Sequence, residues 1–170
     1  MIPERYVGFK CYFDAVELEG VVDVEIPKLE AMVETVKGAG ILGEVETPSL
    51  GNFSAMNMTI NWRTAARPQA LLMHTLASHL IELKGSIQYK DSASGLISTK
   101  QMRVITRSRV KSSSYGKVEV AASGDASTEF SVEYLNVFYD NIPQVEYDPL
   151  NFVFRVNGVD QLASVRADIS

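Results

Sequence analysis

Ile26–Gly43 reads IPKLEAMVETVKGAGILG, and how these residues are taken decides the fold of the chain. Pro27 fixes φ and has no amide proton to donate. Gly38-Ala39-Gly40, with Gly43 just beyond, forms a permissive turn. Between them, Leu29, Met32, Val33 and Val36 have the spacing of an amphipathic helix. Leu29, Ala31, Val33 and Thr35 on one face, with Glu30 and Glu34 on the other, have the spacing of a strand. Glu, Met, Ala and Lys lean towards helix, and periodicity leaves both readings open.

Outward from this stretch the chain reads as strands. Val7–Phe13, with Phe9, Tyr12 and Phe13, and Val21–Ile26 (VVDVEI) flank a turn at Glu17–Gly20. Val45–Leu50, interrupted by Pro48 and followed by Gly51, reads as an edge strand. Ser54–Arg63 is the cleanest alternation, with Met56, Met58, Ile60 and Trp62 on one face and Asn57, Thr59, Asn61 and Arg63 on the other. The Met and Trp stripe reads as core. Pro68 opens a predicted helix over Pro68–His79, with Leu72, Leu76, His79 and Leu80 in one stripe beside Met73 and Ala77. One such helix among strands should lie on a sheet, with Leu72 and Leu76 over Trp62 and its stripe.

Leu80–Tyr89 then reads as a strand broken at Gly85, and Asp91–Gly95 as a polar turn. Lys100–Lys111 is a long strand with Arg103, Ile105, Arg107, Arg109 and Lys111 on one face. Lys117–Ala121 reads as a weak strand between flexible loops. Glu129–Tyr139 is a strong strand, with Phe130, Val132, Tyr134, Asn136 and Phe138 on one face, and Asp140-Asn141 is a hairpin turn. Val145–Tyr147 and Phe152–Val156 read as short strands, and Asp160–Ala167 as a helical turn or short helix. The expected class is mainly β, a barrel or sandwich of antiparallel strands with one flanking α-helix, in a single domain over residues 1–170.

Composition is that of an ordinary globular chain, 46% hydrophobic and 22% charged. MIPERYVGF has no long apolar run after a basic start, so no signal peptide is expected, and no apolar stretch approaches a membrane span. Cys11 is the only cysteine, which excludes an intrachain disulfide. The net charge of −5 hides a segregation: 10 acids and 4 bases in residues 1–50, 8 bases and 2 acids in 82–117, 9 acids and 2 bases in 118–170. A basic middle between acidic ends fits solvated faces, complementary faces on copies of one protein, or a nucleic-acid track. No aromatic residues interleave with the cations of Lys100–Lys111 to stack bases, which disfavours the last.

Catalytic signatures are missing. His74 and His79 are five apart on the predicted helix and point to different faces, with no His-Glu-x-x-His pattern. Cys11, in an aromatic strand-like run, reads as a small buried residue. No carboxylate pair marks an acid–base site, and no glycine-rich phosphate loop is present. No cofactor and no metal are expected.

Pro27-Lys28-Leu29 followed by Lys37-Gly38-Ala39-Gly40 resembles the major tail tube proteins of contractile-tailed phages and R-type pyocins, which carry Pro-Lys-Leu and then Arg-Gly-Ala-Gly or a close variant. Val156-Asn157-Gly158-Val159-Asp160-Gln161-Leu162-Ala163, with Arg166 and Asp168-Ile169, is similar to the family's C-terminal signature. The resemblance spans nearly the whole chain. Val36 stands where relatives often carry Tyr, and Asp140-Asn141 where they carry Asp-Gly. The resemblance resolves the opening stretch as extended over Lys28–Val36. It implies hexameric rings stacked into the inner tube of a contractile tail, each subunit giving long strands to a continuous barrel around a lumen. It further implies a contractile sheath around the tube, baseplate and tail-terminator proteins at its ends, and DNA or a tape-measure protein passing through without specific binding. Assembly would take place in the host bacterial cytoplasm, with no membrane anchoring.

On this reading Pro27, Lys28, Leu29, Lys37, Gly38, Gly40, Arg103, Arg107, Asn157, Gly158 and Asp160 are expected at subunit interfaces. The basic strand is expected to meet acidic surfaces between copies. Glu30, Glu34, Glu44 and Glu46 are expected to line the lumen, since an acidic wall does not brake a passing polyanion. The alternatives are a monomeric β-barrel that binds a ligand inside, and the tube of a type VI secretion or related contractile injection system.

Overall fold

Met56, Met58, Ile60 and Trp62 are all buried to 3% exposure or less, while Asn57, Thr59 and Asn61 between them turn away from the core. This period-two stripe is strand β6 (Met56–Trp62), in a computed structural model that describes residues 1–170. Before it come β1 (Ile2–Phe13), β2 (Val16–Glu17), β3 (Val21–Glu25), β4 (Ala31–Val36) and β5 (Val45–Phe53). After it come helix α1 (Arg67–Leu71), then β7 (His79–Lys90), β8 (Ile97–Ser114), β9 (Ala126–Tyr139), β10 (Ile142–Asp148), β11 (Val153–Val156), β12 (Val159–Asp160) and helix α2 (Ala163–Ile169).

Ten strands join in one antiparallel sheet, ordered β12-β11-β10-β9-β8-β7-β1-β2, with β6 also on β9 and β3 on β6. Strand β9 is the branch point. Its first half, Ala126–Val132, pairs with β6, and its second half, Leu135–Tyr139, pairs with β10. The branch turns β3 and β6 back across β1, β7 and β8, so that Met58 sulfur lies 3.9 Å from Thr106 Oγ1 of β8. Cys11, Ile81, Val104, Phe130 and Leu135 fill the space between. The class is mainly β, as expected, but the sheet does not close into a barrel, which leaves the ligand-filled barrel alternative without an interior.

The opening stretch is extended: β4 covers Ala31–Val36 and pairs with β5 as a separate two-stranded hairpin. Four other expectations need correction. The helix over Pro68–His79 stops at Leu71. From His79 onward the backbone is taken by the ladder to β8, and the turn or so that remains is too short to repay helix nucleation alone. Leu72 is buried, but Leu76 is almost fully exposed, so only Leu72 joins the core that holds Trp62. The helix that flanks the sheet at the far end is α2. Lys117–Ala121 forms no strand. The Lys117 amide donates to Gly124 O at 2.8 Å and the Gly124 amide to Arg63 O at 2.8 Å, pinching the segment between them into a loop with Val118 and Val120 exposed.

The third correction lies in β9. Arg107 pairs with Tyr134 and the next residue, Ser108, with Val132, leaving Glu133 as an extra residue. This bulge exchanges the faces of the strand. Phe130 and Val132 point into the core before it, and Leu135 and Val137 after it, so Tyr134, Asn136 and Phe138 leave the face expected of them. Gly85 does not break β7. It pairs with both Phe9 and Met102, and a β-carbon there would lie 3.1 Å from the Tyr6 ring, which packs over it. Asp140 and Asn141, both at positive φ, make the expected two-residue turn between β9 and β10.

Candidate assembly surfaces

The basic face of β8 is answered from within the chain. Arg109 Nε lies 2.8 Å from Glu133 Oε1, Lys111 Nζ 3.3 Å from Glu129 Oε1 and Arg103 Nη1 3.8 Å from Glu82 Oε1. Arg107 approaches Glu133 at 3.8 Å and Asp148 at 4.0 Å. Arg103 also stacks over Phe138, 4.4 Å from the ring centroid. The register therefore sets the basic middle of the sequence against carboxylates of β7, β9 and β10. It also strips the strand of the free positive charge a phosphate track needs.

The β4–β5 hairpin is rooted in the core and open to solvent beyond it. Pro27 is buried, and Leu29 packs against the core cluster. The Ser54 amide donates to Glu30 O at 2.7 Å, closing the root, where Phe53 stacks edge-on with Tyr147 and Phe154. Lys28 pairs with Glu30 at 2.8 Å, which holds that carboxyl below its ordinary range. At the tip Lys37 reaches Glu44 at 3.7 Å, and Gly38, Gly40 and Gly43 take positive φ values.

Cross-strand partners share a face, so the register sorts the hairpin's side chains. Met32, Glu34 and Val36 lie on one face with Val45 and Thr47. Val33, Thr35 and Lys37 lie on the other with Glu44, Glu46 and Pro48. The four glutamates expected together do not share one wall: Glu34 is turned away from Glu44 and Glu46. The Glu34 face is the more apolar of the two, with Met32, Val36 and Val45 all exposed, against Val33 among the charges of the other.

The C-terminal signature folds on itself and onto the hairpin. Asn157 and Gly158 make a tight turn at positive φ between β11 and β12. Asp160 Oδ1 accepts the Leu162 amide at 3.0 Å, and its carboxylate forms an ion pair with Arg166, which keeps it deprotonated below the ordinary carboxylate range. Arg166 also donates to Phe152 O at 2.7 Å. Leu162 is buried, and its side chain covers Gly51 of β5. The two stretches that stood apart in the sequence thus meet at the hairpin's root. Gly51 inside a strand was the legible signal of a close approach.

One surface escaped sequence reading. β1 pairs with β7 along its length but with β2 only at Tyr12 and Phe13, so Ile2–Lys10 is an open edge. The histidines and the cysteine form no constellation. Nε2 of His79 sits 2.7 Å from His74 O and Nδ1 3.9 Å from Asp14, pinning the turn after α1 to the sheet. Burial pushes the Cys11 thiol up to about 12, which makes it a poor nucleophile. No group of three or more His, Cys, Asp or Glu is placed to hold a metal.

The sequence model described as phage tail tube protein FII matches residues 3–169. The chain is similar to the tail tube protein of Escherichia phage P2, 24% identical over 174 residues that cover 99% of this chain and 98% of that one. Its fold is similar to a chain in the sheath/tube terminator structure of the PVC extracellular contractile injection system. That match has a TM-score of 0.50 and 11% identity, over 82% of this chain and 97% of that chain. A chain in the sheath–tube complex of the same system gives a TM-score of 0.48 at 11% identity, over 77% and 86%.

Proposed function

The chain belongs to the phage tail tube protein FII family, and from that membership we propose that its copies close into hexameric rings stacked as the inner tube of a contractile tail or tail-like particle. The observation that carries the reading is the open edge of β1 over Ile2–Lys10. A long unpaired edge is a hazard for a monomer. In a closed ring the same edge takes a strand from the next copy, and head-to-tail repetition along an axis extends the ring into a tube. The exposed apolar face of the hairpin supports the same reading, because a two-stranded hairpin is marginal in water on its own.

The role is structural, as the family is not an enzyme family, and we read neither catalysis nor a bound cofactor into the chain. Lys28, Lys37, Gly38, Gly40, Arg103, Arg107, Asn157 and Gly158 are assigned to contacts between copies. Pro27, Leu29 and Asp160 serve those contacts from inside, by holding the hairpin and the C-terminal turn in place. Glu44 and Glu46, on the polar face of the hairpin, keep the lumen assignment, with Glu30 at its root; Glu34 looks the other way. A sheath around the tube, baseplate and terminator proteins at its ends, and DNA or a tape-measure protein passing through complete the setting. It is that of a virion tail, or a related injection particle, assembled in the host cytoplasm.

Electron microscopy of the purified protein tests this. Rings or tubes of uniform diameter with six-fold class averages are expected. A protein that stays monomeric at high concentration, without rings, would overturn the proposal.

A further inference from the structure

Asn157-Gly158, the turn between β11 and β12, is the one place in the chain where glycine follows asparagine. Both residues take positive φ, +49° and +79°, and both are exposed. Asn52, Asn61, Asn136 and Asn151 each spend their side-chain amide on a hydrogen bond, whereas that of Asn157 has no partner. The Gly158 amide likewise donates to no backbone carbonyl, and the space around its α-carbon is open. Asn57 and Asn141 also have free side chains, but Met58 and Ile142 follow them inside strands, where a bulky side chain and the ladder stand in the way.

We propose that Asn157 is a self-modification site, at which unassembled copies convert to aspartyl and isoaspartyl forms. The Gly158 nitrogen gives up its proton and attacks Asn157 Cγ. A carbon–nitrogen bond forms, the Cγ–Nδ2 bond breaks, and Nδ2 leaves as ammonia with that proton. Water then opens the cyclic imide, at Cγ to give aspartate or at the main-chain carbonyl to give isoaspartate. Ring closure requires the main chain at Asn157 to swing out of its tight turn. Strand β12 is two residues long, lies at the outer edge of the sheet and pairs with β11 only at Asp160 and Val159, so this opening is local. The Asp160–Arg166 ion pair and Leu162, seated on Gly51, oppose it and set the rate. Isoaspartate adds a methylene to the main chain of a turn that has no slack, and either product places a new carboxylate close to Asp160. Both loosen the clasp that guards the site. The effect on assembly rests on the tube reading above, in which Asn157 and Gly158 meet a neighbouring copy: the modified turn loses that fit, and copies already assembled are sheltered.

The test uses the full chain, kept at mildly alkaline pH, where the attacking nitrogen loses its proton more readily. Ion exchange should resolve an acidic form that accumulates with time, and peptide mapping by mass spectrometry should place the change at Asn157 before any other asparagine. Isoaspartyl methyltransferase should label the same peptide. Asn157→Gly, which suits the positive φ, should abolish the acidic form. Arg166→Gln and Asp160→Asn should each speed the reaction at Asn157 roughly threefold to tenfold, the worth of a partly exposed ion pair against local opening, and urea should speed it further. An acidic form that persists in Asn157→Gly, or that maps first to another asparagine, overturns the site. Equal rates in the parent, in Arg166→Gln and in urea overturn the guarding clasp. Acidic and parent forms, separated and mixed in equal amounts, test the consequence: the acidic form should be depleted from sedimented tubes, and equal incorporation overturns the loss of fit. A parent protein that deamidates at Asn157 and forms no tubes keeps the site and overturns the tube.

Discussion

Leu162 occupies the space that a side chain at residue 51 would need: a β-carbon built on Gly51 falls 2.6 Å from its Cδ2. Residue 51 also sits at φ +69°, in the left-handed region. The C-terminal turn and the hairpin are therefore fitted to each other at one point.

Gly51→Ala should destabilise the chain by about 1–3 kcal/mol, through backbone strain and displacement of Leu162. Leu162→Ala alone should cost about 2–5 kcal/mol from lost burial. The double variant should cost less than the sum, since the smaller side chain makes room for the new methyl. Denaturant unfolding of the four proteins checks this, and strict additivity would show that the two residues do not meet.

Trp62 is 2% exposed, and its Nε1 donates to Thr128 Oγ1 at 3.1 Å. Trp62→Ala should destabilise by about 3–5 kcal/mol. The parent's fluorescence should be that of a tryptophan shielded from water, as measured by iodide quenching. Ready quenching in the folded state would contradict the packing of β6.

Glu133 accepts from Arg109 and from Ser78, whose hydroxyl lies at 2.6 Å, and stands 3.8 Å from Arg107. It is partly open to solvent, so Glu133→Gln should cost only about 1 kcal/mol. Its larger effect should be electrostatic, since two arginines lose their counter-charge and the variant should elute from heparin at higher salt than the parent. Identical elution would mean that other carboxylates already neutralise these cations.

The Asp160 carboxyl lies below its ordinary value of 3.8, first because Arg166 hydrogen-bonds it and then because the Leu162 amide does. A lowered folded-state value stabilises the fold above about pH 3.8 and loses that contribution as pH falls through the folded value. Amide exchange in Val159–Ile169 should therefore accelerate, relative to β6, as the pH drops below 3.8. Asp160→Asn should remove this pH dependence. Uniform protection across the range would exclude the ion pair as what holds α2.

Elements that need only their own residues were legible in the chain. The Met56–Trp62 stripe carries its buried face in its alternation, Asp140-Asn141 carries its turn in its tolerance of positive φ, and Pro27 with the tip glycines frames the hairpin. Those signals are local, set by side-chain period and backbone sterics. What depended on partners far along the chain was decided by the tertiary structure. The spacing of Leu72, Leu76 and His79 suits a helix, yet the ladder to β8 offers His79 a backbone partner at every other residue, and a few helical turns cannot compete with that. The bulge at Glu133 turns over half of β9, because register against β8 is a property of two strands. The charge segregation of the sequence became a set of cross-strand ion pairs for the same reason. Which strands are neighbours, and in what register, is set by the burial of one common core, and no local period carries that information.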